Sequence, residues 1–329
     1  MGIKPKVKIG VCFRREYPPE KALQYALEAE ALGFEEVWVV EDCFYASGIA
    51  AAAATLASTD TMRVGLGIMP AVARNPVFSA MEIATIARMY PRRLIAGVGH
   101  GVAGWMRQIG AFPRSQMTAL REGVEIMRRL MHGERVDYAG KQFTLDDGIL
   151  AYPPQTVPPI YLGVRGPKSL ALSGEIADGT ILAEYSSPAY TAWACEQIRK
   201  GNQHGRAHDV TVFVYAHACS LADVGRELFR PLVTKAILSR RKDIYFTAIG
   251  GEDELRKFQE IDDAEEVAKR VPDSWIDQMG IFGQPEDWQR SLDAFSQAGA
   301  DTIVLVPLPE KGMKQVKAYA KYLFDWKIG

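Results

Sequence analysis

The chain has 329 residues, 48% of them hydrophobic, and carries 39 Lys and Arg against 40 Asp and Glu for a formal net charge of −1. That balance argues against nucleic-acid and membrane-surface roles, which need a basic face; no apolar run reaches bilayer-spanning length, and Met1-Gly2-Ile3-Lys4-Pro5-Lys6 lacks the apolar segment of a signal peptide. The four cysteines, Cys12, Cys43, Cys195 and Cys219, have no metal or redox spacing, so a cytoplasmic protein acting on a small molecule is expected.

Strand and helix patterns alternate along the chain. Val7–Phe13 reads as a strand and Pro19–Gly33 as a helix closed by glycine. Glu36–Glu41 is the second strand, with a helix near Ile49–Ser58. Arg63–Pro70 is the third, followed by a helix over Val77–Met89. Leu94–Gly99 is the fourth strand, and Ser115–Met131 a long helix. Asp137–Leu150 reads as a small β-turn excursion. Ile160–Val164 with a helix at Pro167–Ala177, Thr180–Glu184 with a helix at Pro188–Lys200, and Val210–Cys219 give strands five to seven. Thr302–Pro307 is the eighth, before a closing helix near Lys311–Trp326. Eight apolar, β-branched strands in this alternation predict an α/β fold, a single (β/α)8 TIM barrel over 1–329. Residues 223–279 hold too much helix and charge for one connection; they read as a helical insertion after strand seven, placed to act as a lid.

In such a barrel, chemistry gathers at the C-terminal ends of the strands. Glu41 and Asp42 directly follow the apolar run Val37-Trp38-Val39-Val40. They are candidates to bond a polar ring edge or handle a proton; the alternatives are a helix cap or an ion pair at the rim. Gly65 and Gly67 in the third strand mark a bulge or a close backbone approach, beside Ile68. Gly97-Val98-Gly99-His100-Gly101 resembles part of a dinucleotide fingerprint, but the next clear helix is expected only near Ser115, which argues against a nicotinamide site. His100 either faces a ligand or bonds at the rim. Gly163-Val164-Arg165-Gly166-Pro167-Lys168-Ser169 ends a strand and opens a helix with proline at its first position. Its free N–H groups offer a phosphate seat; the alternative is an ordinary βα turn. The two glycine units together suggest a flat, phosphorylated cofactor across the ends of parallel strands. Glu184, ending the sixth strand, joins the cofactor-binding candidates. His204 and His208 are four apart, but Gly201 and Gly205 disfavour the helix a metal pair would need.

The segments Gly33-Phe34-Glu35-Glu36-Val37-Trp38, Arg74-Asn75-Pro76-Val77, Tyr90 through Gly101, Leu120-Arg121-Glu122, Gly166-Pro167-Lys168, Ala177-Asp178-Gly179 and Gly299-Ala300-Asp301-Thr302, in this order and spacing, resemble the luciferase-like monooxygenase superfamily. Within it they resemble the coenzyme F420 (deazaflavin)-dependent oxidoreductases, whose members include methylenetetrahydromethanopterin reductase. The resemblance implies a TIM barrel, usually a homodimer, with the cofactor ring in the C-terminal mouth. It implies a non-prolyl cis peptide at Gly67-Ile68 backing the ring, an acidic residue at Asp42 near it, and the cofactor phosphate on Gly163, Gly166, Pro167, Lys168 and Ser169. Gly99, His100 and Gly101 complete the expected cofactor site, with Asp42, Glu41 and His100 as catalytic candidates. Cys43 stands where the sugar-phosphate dehydrogenases of this branch have a histidine, and Val102 where they have a glutamate. That argues for a reductase giving hydride to a C=N or C=C bond, under the insertion, in a pocket made apolar by Phe44, Val102, Trp105 and Met106. An FMN-dependent monooxygenase on the same barrel and a non-catalytic flavin-binding subunit are the alternatives.

Overall fold

The computed structural model describes residues 3, 5–239, 244–258, 260–261, 263–308 and 312–324. In chain order the elements are β1 Lys8–Phe13, α1 Ala22–Ala31, β2 Glu36–Val39, α2 Gly48–Ser58, β3 Arg63–Leu66, β4 Met69–Pro70, α3 Pro76–Met89, β5 Leu94–Gly99, α4 Ala103–Gln108 and α5 Gln116–Met131. There follow β6 Val136–Ala139, β7 Thr144–Gly148, β8 Ile160–Gly163, α6 Pro167–Ile176, β9 Gly179–Leu182, α7 Pro188–Gly201 and β10 Asp209–Ala218. The last stretch holds α8 Ala222–Ser239, α9 Ile244–Ala248, α10 Glu252–Phe258, α11 Ala264–Arg270, α12 Asp273–Met279, β11 Gly280–Gly283, α13 Pro285–Gln297, β12 Thr302–Pro307 and α14 Gly312–Phe324. The outer limits of the expected closing helix, 311 and 325–326, fall outside the described residues.

The strand order β10-β12-β1-β2-β3-β5-β8-β9 returns to β10, and this closed, eight-stranded parallel ring is a (β/α)8 TIM barrel. β4 adds to β5, and β11 to β10. Apolar side chains on both faces explain why the strands prefer the interior: β2, β5 and β12 are buried at every position. The chain divides into two compact units, one of Val11–Ile181 with Ile198–Asp209, the other of the first ten residues, Leu182–Gln197 and Val210 onward.

In the first of these units, α1 starts after a 3-10 turn at Pro19–Lys21 and closes through Gly33, whose φ of 92° suits glycine. The expected third strand is broken into β3 and β4 by a cis peptide at Gly67-Ile68, where the family resemblance implied one. The excursion after α5 is the antiparallel hairpin β6–β7. Glu122 pins it, accepting the backbone N–H groups of Lys141, Gln142 and Phe143 at 2.8, 2.9 and 3.0 Å.

In the second unit, the expected helical region is five helices, α8 to α12, among the described residues. They keep a small aromatic core of their own. Trp275 lies 5.3 Å from Phe246 and 5.9 Å from Phe258, centroid to centroid. Arg226 of α8 bonds Asp277 of α12 at 2.8 and 3.0 Å. Three elements escaped the sequence reading: α4, β11 and α13. α4 contradicts the expectation that no helix opens before Ser115. It starts one residue past Val102 without a side-chain cap, so its six residues gave no start signal.

Candidate functional site

The site grows from glycines that empty the space around one side chain. A Cβ on Gly163 would stand 2.6 Å from Ile68 Cγ2, and one on Gly99 would stand 2.7 Å from both Ile68 Cδ1 and the Gly163 carbonyl. β5 and β8 therefore approach Ile68 closely because neither residue has a side chain there. β4 continues the edge, pairing Pro70 with Gly99. Gly101, with φ of 70°, turns the chain into α4, and a Cβ there would meet Pro70 at 2.9 Å and Met106 Sδ at 3.1 Å. The half-buried Ile68 thus forms a platform framed by glycine backbone, with one apolar face for a flat ring.

Next to it, α6 begins at Gly166 and Pro167. Gly166 is the N-cap and supplies no side-chain hydrogen bond; the space where its Cβ would be is open. Proline at the first position lacks the N–H it would leave unpaired, and the following N–H groups of Lys168 and Ser169 face outward from an uncapped helix start. Such a start favours an anion by about 0.3–1 kcal/mol from the dipole alone when exposed. His100 ties the two halves together, with Nε2 3.1 Å from Ser169 Oγ, while Ser169 Oγ also reaches Met117 Sδ at 3.3 Å. Burial pushes His100 below the ordinary imidazole range, with the Gln116 backbone pulling weakly the other way. Its Nδ1 is buried and makes no well-formed hydrogen bond among the described residues. These residues fit a flat ring carrying a phosphate.

The two carboxylates after β2 part company. Glu41 gives both oxygens to Arg74 in a bidentate pair, and Oε2 also accepts the N–H of Gly48, the first residue of α2, at 3.0 Å. That is the cap and rim ion pair named above as the alternative to chemistry. Asp42 is different. Its Oδ2 takes one bond, from Arg15 Nη1 at 2.7 Å, and the side chain stays 28% exposed. The Arg15 guanidinium lies 5.1 Å from the Tyr45 ring and 5.5 Å from the Trp105 ring. Two aromatic faces and two carboxylates, Asp42 and Glu16, whose Oε1 accepts from Arg15 Nε at 3.3 Å, therefore hold it.

The sequence reading did not single out Arg15, Arg74 and Tyr45, which the structure brings beside Asp42 and Glu41. Arg15 and Arg74 sit in loops after strands, and nothing in their local pattern marks them as partners of Asp42 and Glu41. Met106, expected to line the pocket, is instead wholly buried and packs under Gly101; Phe44 and Val102 are exposed. Glu184 lies two residues beyond β9 in the other compact unit, half-buried. His208 is hydrogen-bonded to Thr180 Oγ1 at 2.8 Å, and His204 stands exposed on the loop before it.

Comparison with known proteins agrees with the barrel fold. The family model for luciferase-like monooxygenases matches residues 9–302. The 5,10-methylenetetrahydromethanopterin reductase of Methanolobus tindarius is 26% identical over 326 residues, covering 93% of this chain and 97% of its own. The F420-dependent glucose-6-phosphate dehydrogenase of Nakamurella multipartita is 29% identical, over 60% of this chain and 62% of its own. Among solved structures, the coenzyme F420-dependent tetrahydromethanopterin reductase of Methanopyrus kandleri superposes with a TM-score of 0.80 at 21% identity, covering 97% of this chain and 99% of that one.

Proposed function

This chain belongs to the luciferase-like monooxygenase family, and from that premise we propose that it is an F420-dependent reductase, transferring hydride to a C=N or C=C bond of a small organic substrate. The observation that carries the reading is the glycine-framed Ile68 platform beside an uncapped, proline-started helix. A flat ring with a phosphate on its tail needs both, at neighbouring strand ends. Similarity to the reductase over more than nine-tenths of both chains, against about three-fifths for the sugar-phosphate dehydrogenase, favours reduction.

Bound reduced deazaflavin supplies the hydride; the protein supplies position and polarity. Ile68, Gly99 and Gly163 would hold the ring, and the N–H groups of Lys168 and Ser169 would hold the phosphate. His100, kept neutral near pH 7 by burial, is fixed against Ser169 through Nε2. Asp42 is the residue that bonds a polar ring edge or handles a proton, through Oδ1, because Arg15 occupies only Oδ2. Glu41 is a positioning residue, since Arg74 and Gly48 occupy its oxygens. Trp105 and Tyr45 give an aromatic wall for a substrate with apolar or heteroaromatic character.

The test is a fluorescence-quenching titration with oxidised F420 and with FMN. Binding of F420 with FMN ignored supports the reading, and the reverse overturns it in favour of oxygen chemistry. Gly163→Ala is the companion variant. Its methyl displaces Ile68, and F420 affinity is expected to fall by about tenfold or more, which is about 1.4 kcal/mol.

A further inference from the structure

The Arg15–Asp42 ion pair is the end of a longer chain of charges. Arg14, only 8% exposed, gives Nε and Nη2 to the two oxygens of Glu16 at 3.0 and 3.1 Å. Glu16 Oε1 also accepts from Arg15 Nε at 3.3 Å, and Arg15 Nη1 donates to Asp42 Oδ2 at 2.7 Å. Charges therefore alternate, Arg14, Glu16, Arg15, Asp42, from a buried anchor to the carboxylate at the end of β2. The chain neutralises itself, because each of its cations bonds a carboxylate of the chain. Asp42 Oδ1 has no donor among the described residues.

Backbone fixes both ends. Tyr17 N–H donates to the Arg14 carbonyl at 3.1 Å, closing a turn directly after β1. After β2, Tyr45 N–H donates to the Asp42 carbonyl at 3.1 Å, and Phe44 sits inside that turn at φ 72°. A bulky aromatic residue rarely takes this left-handed conformation, which persists only where the surroundings impose it. The turn brings Asp42 and Tyr45 to one guanidinium: Asp42 bonds it, and the Tyr45 ring lies 5.1 Å away. Trp105 of α4 adds a second ring at 5.5 Å. A guanidinium is a planar fork that stacks on rings, so a clamped arginine holds a carboxylate in one orientation. All six residues lie in the compact unit of the Ile68 platform. With side chains 37% and 28% exposed, the Arg15–Asp42 pair adds little stability on its own. What the chain supplies is orientation.

We infer that Arg15 is a positioning residue for Asp42, fixing the carboxylate through Oδ2 so that Oδ1 accepts from an N–H on the polar edge of the bound ring. This rests on the reading of the Ile68 platform as the seat of that ring. The effect of Arg15 passes through Asp42, and Arg14 with Glu16 presets Arg15. The ligand group at Oδ1 is a hydrogen-bond donor, not an anion.

The test is a double-mutant cycle on affinity for oxidised F420, read by fluorescence quenching in the full chain: native, Arg15→Met, Asp42→Asn and the double variant. Each single variant is expected to lose about tenfold. The double variant is expected to lose no more than about tenfold, because Arg15 has nothing to position once the Asp42 carboxylate is gone. Arg15→Lys, which restores one donor to Oδ2, should return affinity to within about threefold of native. Melting temperatures should stay close to native in all of them. Arg15→Gln replaces Arg15→Met in the cycle if the apolar variant fails to fold. A loss of about hundredfold in the double variant makes the two residues independent and overturns the assignment. Native affinity in either single variant, or no recovery with Arg15→Lys, overturns it as well. The cofactor reading fails separately: if FMN binds and F420 does not, the same cycle run with FMN judges Arg15 by the same outcomes. Binding of neither overturns both.

Discussion

Adjacent carboxylates, Glu41 and Asp42, show how neighbours in sequence acquire different roles. Glu41 is saturated by Arg74 and the start of α2, so its contribution is to structure. Asp42 keeps one oxygen open beside an arginine held by two rings. Arg74→Ala is therefore expected to destabilise the protein by about 2 kcal/mol, because it strands a partly buried carboxylate. Asp42→Asn should leave the melting temperature nearly unchanged and cut turnover by about 100-fold, at the lower end of general acid–base contributions. Loss of stability with Asp42→Asn, and loss of turnover alone with Arg74→Ala, would reverse the assignment. His100 adds a pH dependence. Its folded pKa is depressed, so the unfolded chain binds the proton more readily. The stability tied to its neutral form is full above the unfolded value of about 6.5 and fades as pH falls toward the folded one. In His100→Gln, denaturant midpoints measured from pH 7.5 to 5 should show a shallower decline than in the native chain.

Single helices and hairpins depend on a few polar contacts. Burial pushes the Glu122 carboxyl up, but three backbone N–H donors from the β6–β7 turn outweigh it, so the group lies below its ordinary range. Its stabilisation is present above the unfolded carboxylate value of about 4.3 and is lost as pH falls through the depressed folded value. Glu122→Gln should cost about 1–2 kcal/mol at pH 7, and the difference from the native chain should shrink in acid. A constant difference from pH 7 to pH 3 would show that packing, not charge, secures the hairpin. Elements also differ in how plainly the sequence announces them. α13 carries Pro285 at its first position and a Trp288, Leu292, Phe295 stripe at helical spacing, so its signal was present and overlooked. α4 had none: six residues, no cap, and a fully buried Met106 that looks like a pocket residue until it is seen packed against Gly101. β11 is four residues with glycine at both ends, below the length at which periodicity speaks.

For the molecule as a whole, the barrel was legible because each of its eight strands is mostly apolar, a pattern that strands buried on both faces share. The ring, however, is a long-range object, and so is the site. Ile68, Gly99, Gly163 and Ser169 come from three separate segments that only strand pairing in the order β3, β5, β8 brings together. The glycines were readable as close approaches; which side chain they approach was not. Arg15 escaped notice for the same reason, since its partner Asp42 lies 27 positions away. A site assembled this way has a thermodynamic consequence. A ligand that binds the paired strand ends and not the unfolded chain stabilises all of them together. F420 at about 100 times its Kd should raise unfolding free energy by about 2.7 kcal/mol. For a folding unit of this size, that corresponds to a rise in Tm of about 5–10 °C. Hydrogen exchange should locate the effect at 67–71, 97–101 and 163–170, in the unit of Val11–Ile181 with Ile198–Asp209. Amides of α8 to α12, whose aromatic core around Trp275 is their own, serve as the internal reference. A rise in Tm without protection at those three segments would place the ligand elsewhere on the chain.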